Sequence, residues 1–302
     1  MTIDKYLQNL LTSQNLSEKQ EEDLQAHKKE VTDFLRAEFG NDPVIKYAGS
    51  HEKGTMISDR YDLDIVCYFP SSDTHSLKEI REDVANKLAE KYLLTHKASA
   101  ERILDLKSSE APVDFHIDVV PGRFIEDTKD VFIHVAYGDK QRMQTNLKTH
   151  INHIANSGCV PVIRLIKLWA HRNNLKIKTF ILELFVVEVL SGSQSKSDLK
   201  KSYLKVLEAF RDNFTSTELV DPANSNNVVS RLMEASEKLS ISQAATATYN
   251  SIKDSEDSAI WQAAFKDEGN ASKASTASIT AATGYAVGRS FTPPSQWSGD
   301  DN

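Results

Sequence analysis

The sequence predicts an α+β fold: a mixed β-sheet with helices in the first half of the chain, packed against an all-helical second half. Three patterns carry this expectation. Between Val44 and Tyr137, short runs rich in apolar and β-branched residues are punctuated by Gly, Pro and Ser, the mark of strands and turns. From about Thr145 to Phe265 the apolar residues recur at helical spacing with only short breaks. Beyond Asp267 the chain turns to Gly, Asn, Ala, Ser and Thr with no usable period and ends FTPPSQWSGDDN, a composition that builds no core.

Taken in order, Leu24, Val31, Phe34, Leu35 and Phe39 lie on a helical period closed by Gly40-Asn41-Asp42-Pro43, so one long amphipathic helix is expected to open the protein. Val44 to Ala48 reads as a short strand broken by Gly49-Ser50, and Asp62 to Phe69 as a second strand ended by Pro70. Leu77 to Leu94 has a helical period. Ala100 to Leu106, Val113 to Val120 and Val131 to Tyr137 follow as strands. In the helical half Pro161 marks a helix start, while Ser191-Gly192-Ser193 and Asp221-Pro222 mark breaks.

A chain of 302 residues, 40% of them hydrophobic, can bury a sizeable core. Its formal net charge of −7 argues against a protein that coats duplex nucleic acid, because such binding rests on neutralising phosphates. The average conceals a polarity: residues 140–178 hold eight Lys or Arg and no Asp or Glu. The two cysteines, Cys67 and Cys159, form no C-x-x-C pair and read as reduced structural thiols. MTIDKYLQNLL lacks the basic and apolar regions of a secretory signal. The most apolar run, Phe180 to Leu190, is too short to span a membrane and contains Glu183 and Glu188. A cytoplasmic protein with no membrane partner is expected.

The chemistry concentrates in two segments. In YAGSHEKGTMISDRYDLDIVCY, residues 47–68, Asp62 and Asp64 fall on one face of a strand and Leu63 and Ile65 on the other. Adjacent carboxylates repel unless a cation lies between them or one keeps its proton, and a divalent metal is the simplest remedy. In VDFHIDVVP, residues 113–121, Asp114, His116 and Asp118 share a face. Asp118 is the favoured third carboxylate, with Asp114 as the alternative. Three aspartates on neighbouring strands can hold two divalent ions for phosphoryl or nucleotidyl transfer, and Gly49-Ser50 offers backbone N–H groups to phosphate oxygens. His150 and His153 stand three apart but lack the further ligands of a zinc site. No elbow sequence supports a Ser-His-Asp triad. Glu183 reads as a structural acid of its helix, and His116 as a strand residue beside the site.

Gly-Ser, eleven residues, Asp-Leu-Asp-Ile and a third Asp in a later strand resemble the polymerase-beta-like nucleotidyltransferase signature. PVIRLIKLWAHRNN followed by KTFILELF resembles the Lys-x-Trp and Ser-Tyr-x-Leu-Glu helices shared by oligoadenylate synthases, archaeal CCA-adding enzymes and bacterial cGAS/DncV-like nucleotidyltransferases. LVDPANSNNVVSRL resembles the Asp-Pro-x-Asn-x-x-Asn-Asn-Val segment of the synthase branch. DSEDSAIWQAAF is similar to the Trp-containing helix near the C-terminus of the bacterial branch, the CD-NTases or SMODS synthases. Together the matches span roughly residues 44 to 265.

That resemblance implies a catalytic nucleotidyltransferase lobe with a long N-terminal helix at 1–144, a helical lobe at 145–267 and a weakly ordered C-terminal tail at 268–302. By the same resemblance Asp62, Asp64 and Asp118 match the ligands of two Mg²⁺ ions, with Mn²⁺ as a substitute. Gly49 and Ser50 match the phosphate loop, and Lys167 the lysine on the donor triphosphate. Thr179 stands at the usual Ser position and keeps a hydroxyl. Phe180 stands at the usual Tyr position and keeps a ring able to stack on a base. The Phe-Gly expected after the Trp helix is Phe265-Lys266 here. The implied activity joins nucleoside triphosphates, ATP among them, into a cyclic di- or trinucleotide messenger in bacterial anti-phage (CBASS) signalling, where an effector reads the product. The nearest rival is template-independent extension of RNA or tRNA 3′ ends, as by CCA-adding enzymes. A silent nucleotide-binding module is the other. Stable binding of duplex DNA is not expected.

Overall fold

Two capped helices, rather than the expected single one, open the chain. In the computed structural model, which describes residues 1–104, 106, 112, 115–136, 141–192 and 197–267, the Thr2 side chain caps α1 (Ile3–Ser13). Ser17 and Gln20 then form a reciprocal capping box at the start of α2 (Glu18–Phe39), satisfying amide groups that a helix start leaves without partners. The periodicity from Leu24 onward belongs to α2 alone. The apolar residues of α1, Ile3, Tyr6, Leu7 and Leu10, pack instead with the helical core, so the first helix of the chain leaves the sheet and joins the segment after 145.

After α2 come β1 (Val44–Tyr47), α3 (Gly49–Glu52), β2 (Leu63–Phe69), α4 (Leu77–Ala89), β3 (Leu94–His96), β4 (Glu101–Ile103), β5 (Ile117–Phe124), β6 (Val131–His134) and β7 (Arg142–Thr145). The sheet runs β1-β2-β5-β4-β3, with β6 pairing β5 and β7 pairing β6. It is mixed as expected, because β2 and β5 run parallel while the other pairs are antiparallel. Leu63, Ile65, Ile117 and Val119 point into a core completed by Val31 and Leu35 of α2 and by Val84 and Leu88 of α4. The opposite face of β2 carries Asp64, Val66 and Tyr68 in turn. The predicted strand from Val113 begins only at Ile117; Val113 and Asp114 lie outside the described residues.

The second half holds α5 (Leu147–Ala155), α6 (Val160–Arg172), α7 (Thr179–Leu190), α8 (Leu199–Asp212), α9 (Ala235–Ile252) and α10 (Ser258–Ala264). Pro161 sits in the first turn of α6, where its missing N–H costs nothing. Trp169, Phe185, Tyr203, Phe210, Trp261 and Phe265 fill the helical core. The two buried indoles are satisfied, Trp169 donating to Thr248 at 3.0 Å and Trp261 to the Ser255 carbonyl at 3.1 Å. One segment departs from the all-helical expectation: β8 (Val220–Asp221) and β9 (Asn224–Val228) form an antiparallel ribbon. Its turn is set by side chains that mimic backbone, since Asp221 accepts from the Ala223 N–H at 2.8 Å and Asn224 from the Asn226 N–H at 3.2 Å. Both cysteines are buried free thiols. Among the described residues no helix is long and apolar enough to cross a membrane. Residues 268–302, read from sequence as a tail, lie outside the described residues.

Candidate active site

One cleft gathers Gly49, Ser50, Asp62, Asp64, Lys167, Thr179 and Phe180, drawn from the β1–α3 turn, the start of β2, α6 and the N-terminal end of α7. These are the sequence-predicted residues apart from Asp118. Asp118 lies next to them, because the parallel β2–β5 register sets it opposite Asp64. Gly49 has φ +66°, and a Cβ there would stand 1.7 Å from the Asp64 carboxylate oxygen. Only glycine allows the turn to come this close to an acid.

Burial, and then the nearby carboxylates of Asp62 and Asp118, push the Asp64 carboxyl up to about 7, against an opposing pull from Lys53. Asp118 is engaged sideways: Arg102, its antiparallel neighbour on β4, donates from Nε and Nη2 to its two oxygens at 2.8 Å each. This fork-to-fork geometry holds the third acid while leaving Asp62 half exposed at the cleft mouth. His116 lies 3.5 Å from Asp62 and 3.9 Å from Asp118.

The acid-free basic segment has a structural use that the sequence did not disclose. From α6, Lys167 Nζ donates to the Thr55 carbonyl at 2.8 Å, Arg164 to the Met56 carbonyl at 2.9 Å and Arg172 to the Asp59 carboxylate at 2.8 Å. Three cations of one helix thus staple the loop that joins the Gly-Ser turn to the paired acids. Lys176 and Lys178 are exposed. Burial holds the Lys167 ammonium below the usual lysine range, partly offset by Glu183. Glu183 itself, fully buried in α7, pairs with Lys53 and accepts from the Thr55 hydroxyl at 2.6 Å. It is a structural acid as expected, and it ties α7 to the loop rather than serving its own helix. Lys53 and Arg102 were missed by sequence reasoning. The lysine stands inside GSHEKGT, three residues after Ser50, where its closeness to the Gly-Ser turn was legible.

Oxygen-only donors suit Mg²⁺ or Mn²⁺, and a cation beside Asp64 would oppose the burial and neighbouring carboxylates that push its carboxyl up. Among the described residues, however, no three His, Cys, Asp or Glu side chains are already gathered as a metal cage. Asp62 and Asp64 face the cleft, whereas Asp118 is turned to Arg102. Asp62 and Asp64 offer carboxylate oxygens of the kind that would hold a divalent ion.

Paired aspartates on a mixed sheet thus face helices across a cleft. Residues 1–157 match the Second Messenger Oligonucleotide or Dinucleotide Synthetase (SMODS) domain, and the chain belongs to that family. Solved structures share the architecture. Escherichia coli MS115-1 CdnC, in its HORMA-deltaN complex, has 18% identity and a TM-score of 0.66 over 85% of this chain and 94% of that one. Bradyrhizobium diazoefficiens CD-NTase CdnG, in complex with GTP, has 11% identity and a TM-score of 0.70 over 87% and 95%. Vibrio cholerae DncV, a cyclic AMP-GMP synthase and prokaryotic cGAS homolog, has 16% identity and a TM-score of 0.58 over 76% and 70%. At such identities the likeness is one of fold. No curated protein matches the sequence.

Proposed function

We propose that this protein is a Mg²⁺-dependent nucleotidyltransferase that links nucleoside triphosphates into a cyclic di- or trinucleotide, releasing pyrophosphate, as a cytoplasmic synthase of bacterial CBASS signalling whose product activates an effector. The observation that carries this reading is the meeting of Asp62 and Asp64 with Gly49-Ser50, Lys167 and Phe180 in one cleft. The GTP and ATP held by the CdnG and CdnC structures support triphosphates as substrates, and the cyclic AMP-GMP synthase DncV supports ring closure.

In this reading Asp62, Asp64 and Asp118 hold the divalent ions, which when bound supply Lewis-acid activation of the attacking hydroxyl and neutralise the leaving phosphates. The chain's own groups position the reactants. The Gly49-Ser50 backbone and Lys167 bind the donor triphosphate, Thr179 adds a hydroxyl, and the Phe180 ring stacks on a base. A ribose hydroxyl oxygen of the acceptor, its proton passing to solvent, attacks the α-phosphorus in line while the bond from that phosphorus to the bridging oxygen breaks and pyrophosphate leaves. The same displacement at the linear product's own triphosphate closes the ring.

Incubation with labelled ATP, GTP, CTP and UTP, singly and in pairs with Mg²⁺, tests the reading. Phosphatase-resistant products are expected. Untouched triphosphates would point to a silent binding module, and extension of an added tRNA without cyclic product would point to the RNA-extending rival. Lys167→Ala is expected to raise KM about tenfold or more, with a smaller fall in kcat, since it removes a ground-state charge contact worth about 1.5–3 kcal/mol. Unchanged kinetics would remove Lys167 from the triphosphate site.

A further inference from the structure

The β8–β9 ribbon is linked to the cleft through His150, which joins Asp221 to Phe180. Asp221, almost fully buried, accepts from His150 Nε2 at 2.6 Å, from the Ala223 N–H at 2.8 Å and from Asn227 Nδ2 at 3.1 Å. Burial would raise its carboxyl, but these donors outweigh burial and hold it below the usual range. Asp221 is therefore ionised and can only accept, so Nε2 of His150 carries the proton. The ribbon is itself fixed to the sheet, Asn224 Nδ2 donating to the Gln144 carbonyl at 3.2 Å. His150, on α5, then presses its ring on Phe180, with centroids 4.7 Å apart and planes at 47°. Phe180 also packs against the helical core and has Lys53 Nζ over its ring at 5.4 Å from the centroid, so His150 is the ring neighbour that ties it to the ribbon.

We propose that Asp221 and His150 form a positioning pair for Phe180: residues 221–227, outside the cleft, hold the ring at the angle at which it receives a purine or pyrimidine base. This rests on the proposed function, in which Phe180 is the base-stacking surface. His150 is a positioning residue, acting through Phe180 and touching no substrate. Base affinity then depends on a ribbon that makes no contact with the nucleotide, and phosphate affinity does not.

The test uses the full chain with Mg²⁺ and measures binding of ATP, of GTP and of inorganic tripolyphosphate, which has the phosphates but no base. His150→Ala is expected to weaken ATP or GTP about tenfold, within the range of a lost base stack, and to leave tripolyphosphate unchanged. Phe180→Ala should lose at least as much, and adding His150→Ala to it should cost nothing further. Additive losses, or an equal loss of tripolyphosphate, would overturn the proposal. Asp221→Asn, which keeps shape, carries the same cycle if His150→Ala does not fold, with a smaller loss expected and again none on top of Phe180→Ala. If the wild-type protein binds neither triphosphate, the proposed function fails. If it binds them and the single variants bind as well, this inference alone fails.

Discussion

Asp62→Asn combined with Asp64→Asn is expected to abolish nucleotide product while the protein stays folded. The substitution keeps side-chain shape and removes the two cleft-facing carboxylates proposed to hold the divalent ions. A loss on the order of a thousandfold or more follows if about 4 kcal/mol of transition-state stabilisation disappears. The stability effect has the opposite sign. The folded-state carboxyl of Asp64 lies near 7, above the unfolded value of about 3.9. Between those values the folded state binds more protons than the unfolded one, so metal-free stability falls as pH rises from about 4 to 7 and is level above that. The double variant removes this penalty, and without metal at pH 8 it should melt at or above the wild type, with a flatter pH profile across the window. Melting curves and triphosphate turnover on one preparation decide the matter. Product from the variant, or a much lower melting temperature, would end the two-metal assignment.

Glu183→Ala is expected to produce the largest loss of stability. The carboxylate is fully buried against Lys53 and Thr55 and lies near Lys167. Its removal leaves a buried ammonium without its counter-charge, which typically costs about 3–5 kcal/mol. For a chain of this size that is a fall of roughly 10 °C in melting temperature. Because Lys53 and Thr55 belong to the loop that follows Gly49-Ser50, the surviving folded protein should also bind tripolyphosphate less well. Urea unfolding and tripolyphosphate titration measure the two effects. A cost below about 1 kcal/mol, the range of exposed pairs, would show that water screens the pair.

What the sequence disclosed follows from the range of the interactions involved. Asp62, Asp64 and Asp118 were legible because strand alternation is local, and Gly49-Ser50 because a turn is local. Lys167, Thr179 and Phe180 lie more than a hundred residues downstream of Asp62 and Asp64, and only resemblance joined them to the acids. The Arg102–Asp118 fork needs the antiparallel β4–β5 register, and the Lys53–Glu183 pair joins positions 130 residues apart; neither leaves a periodic trace. The strand lengths were overestimated because apolar residues such as Leu104 and Leu106 continue the composition past the last ladder bond of β4. The ribbon at 220–228 was read as a break because its Asp and Asn side chains, not apolar alternation, shape it. His150 offered only a spacing with His153, and its true partner lies 71 residues on.

The pairing of β2 with β5 separates what can vary from what cannot. Asp64 and Asp118 are level because Leu63 and Ile65 lock against Ile117 and Val119 on the other face of the sheet, and a slip of one residue in either strand would turn that strand's acid into the core. The spacing of the acids is therefore inherited from packing, not maintained by the cleft. Thr179 and Phe180 stand on α7, outside the β2–β5 packing that sets this spacing. A change of size at Ile65 or Val119 would therefore shift the acids from the opposite face of the sheet. The register of the acids thus rests on the core face of β2 and β5, while Thr179 and Phe180 in the same cleft rest on α7.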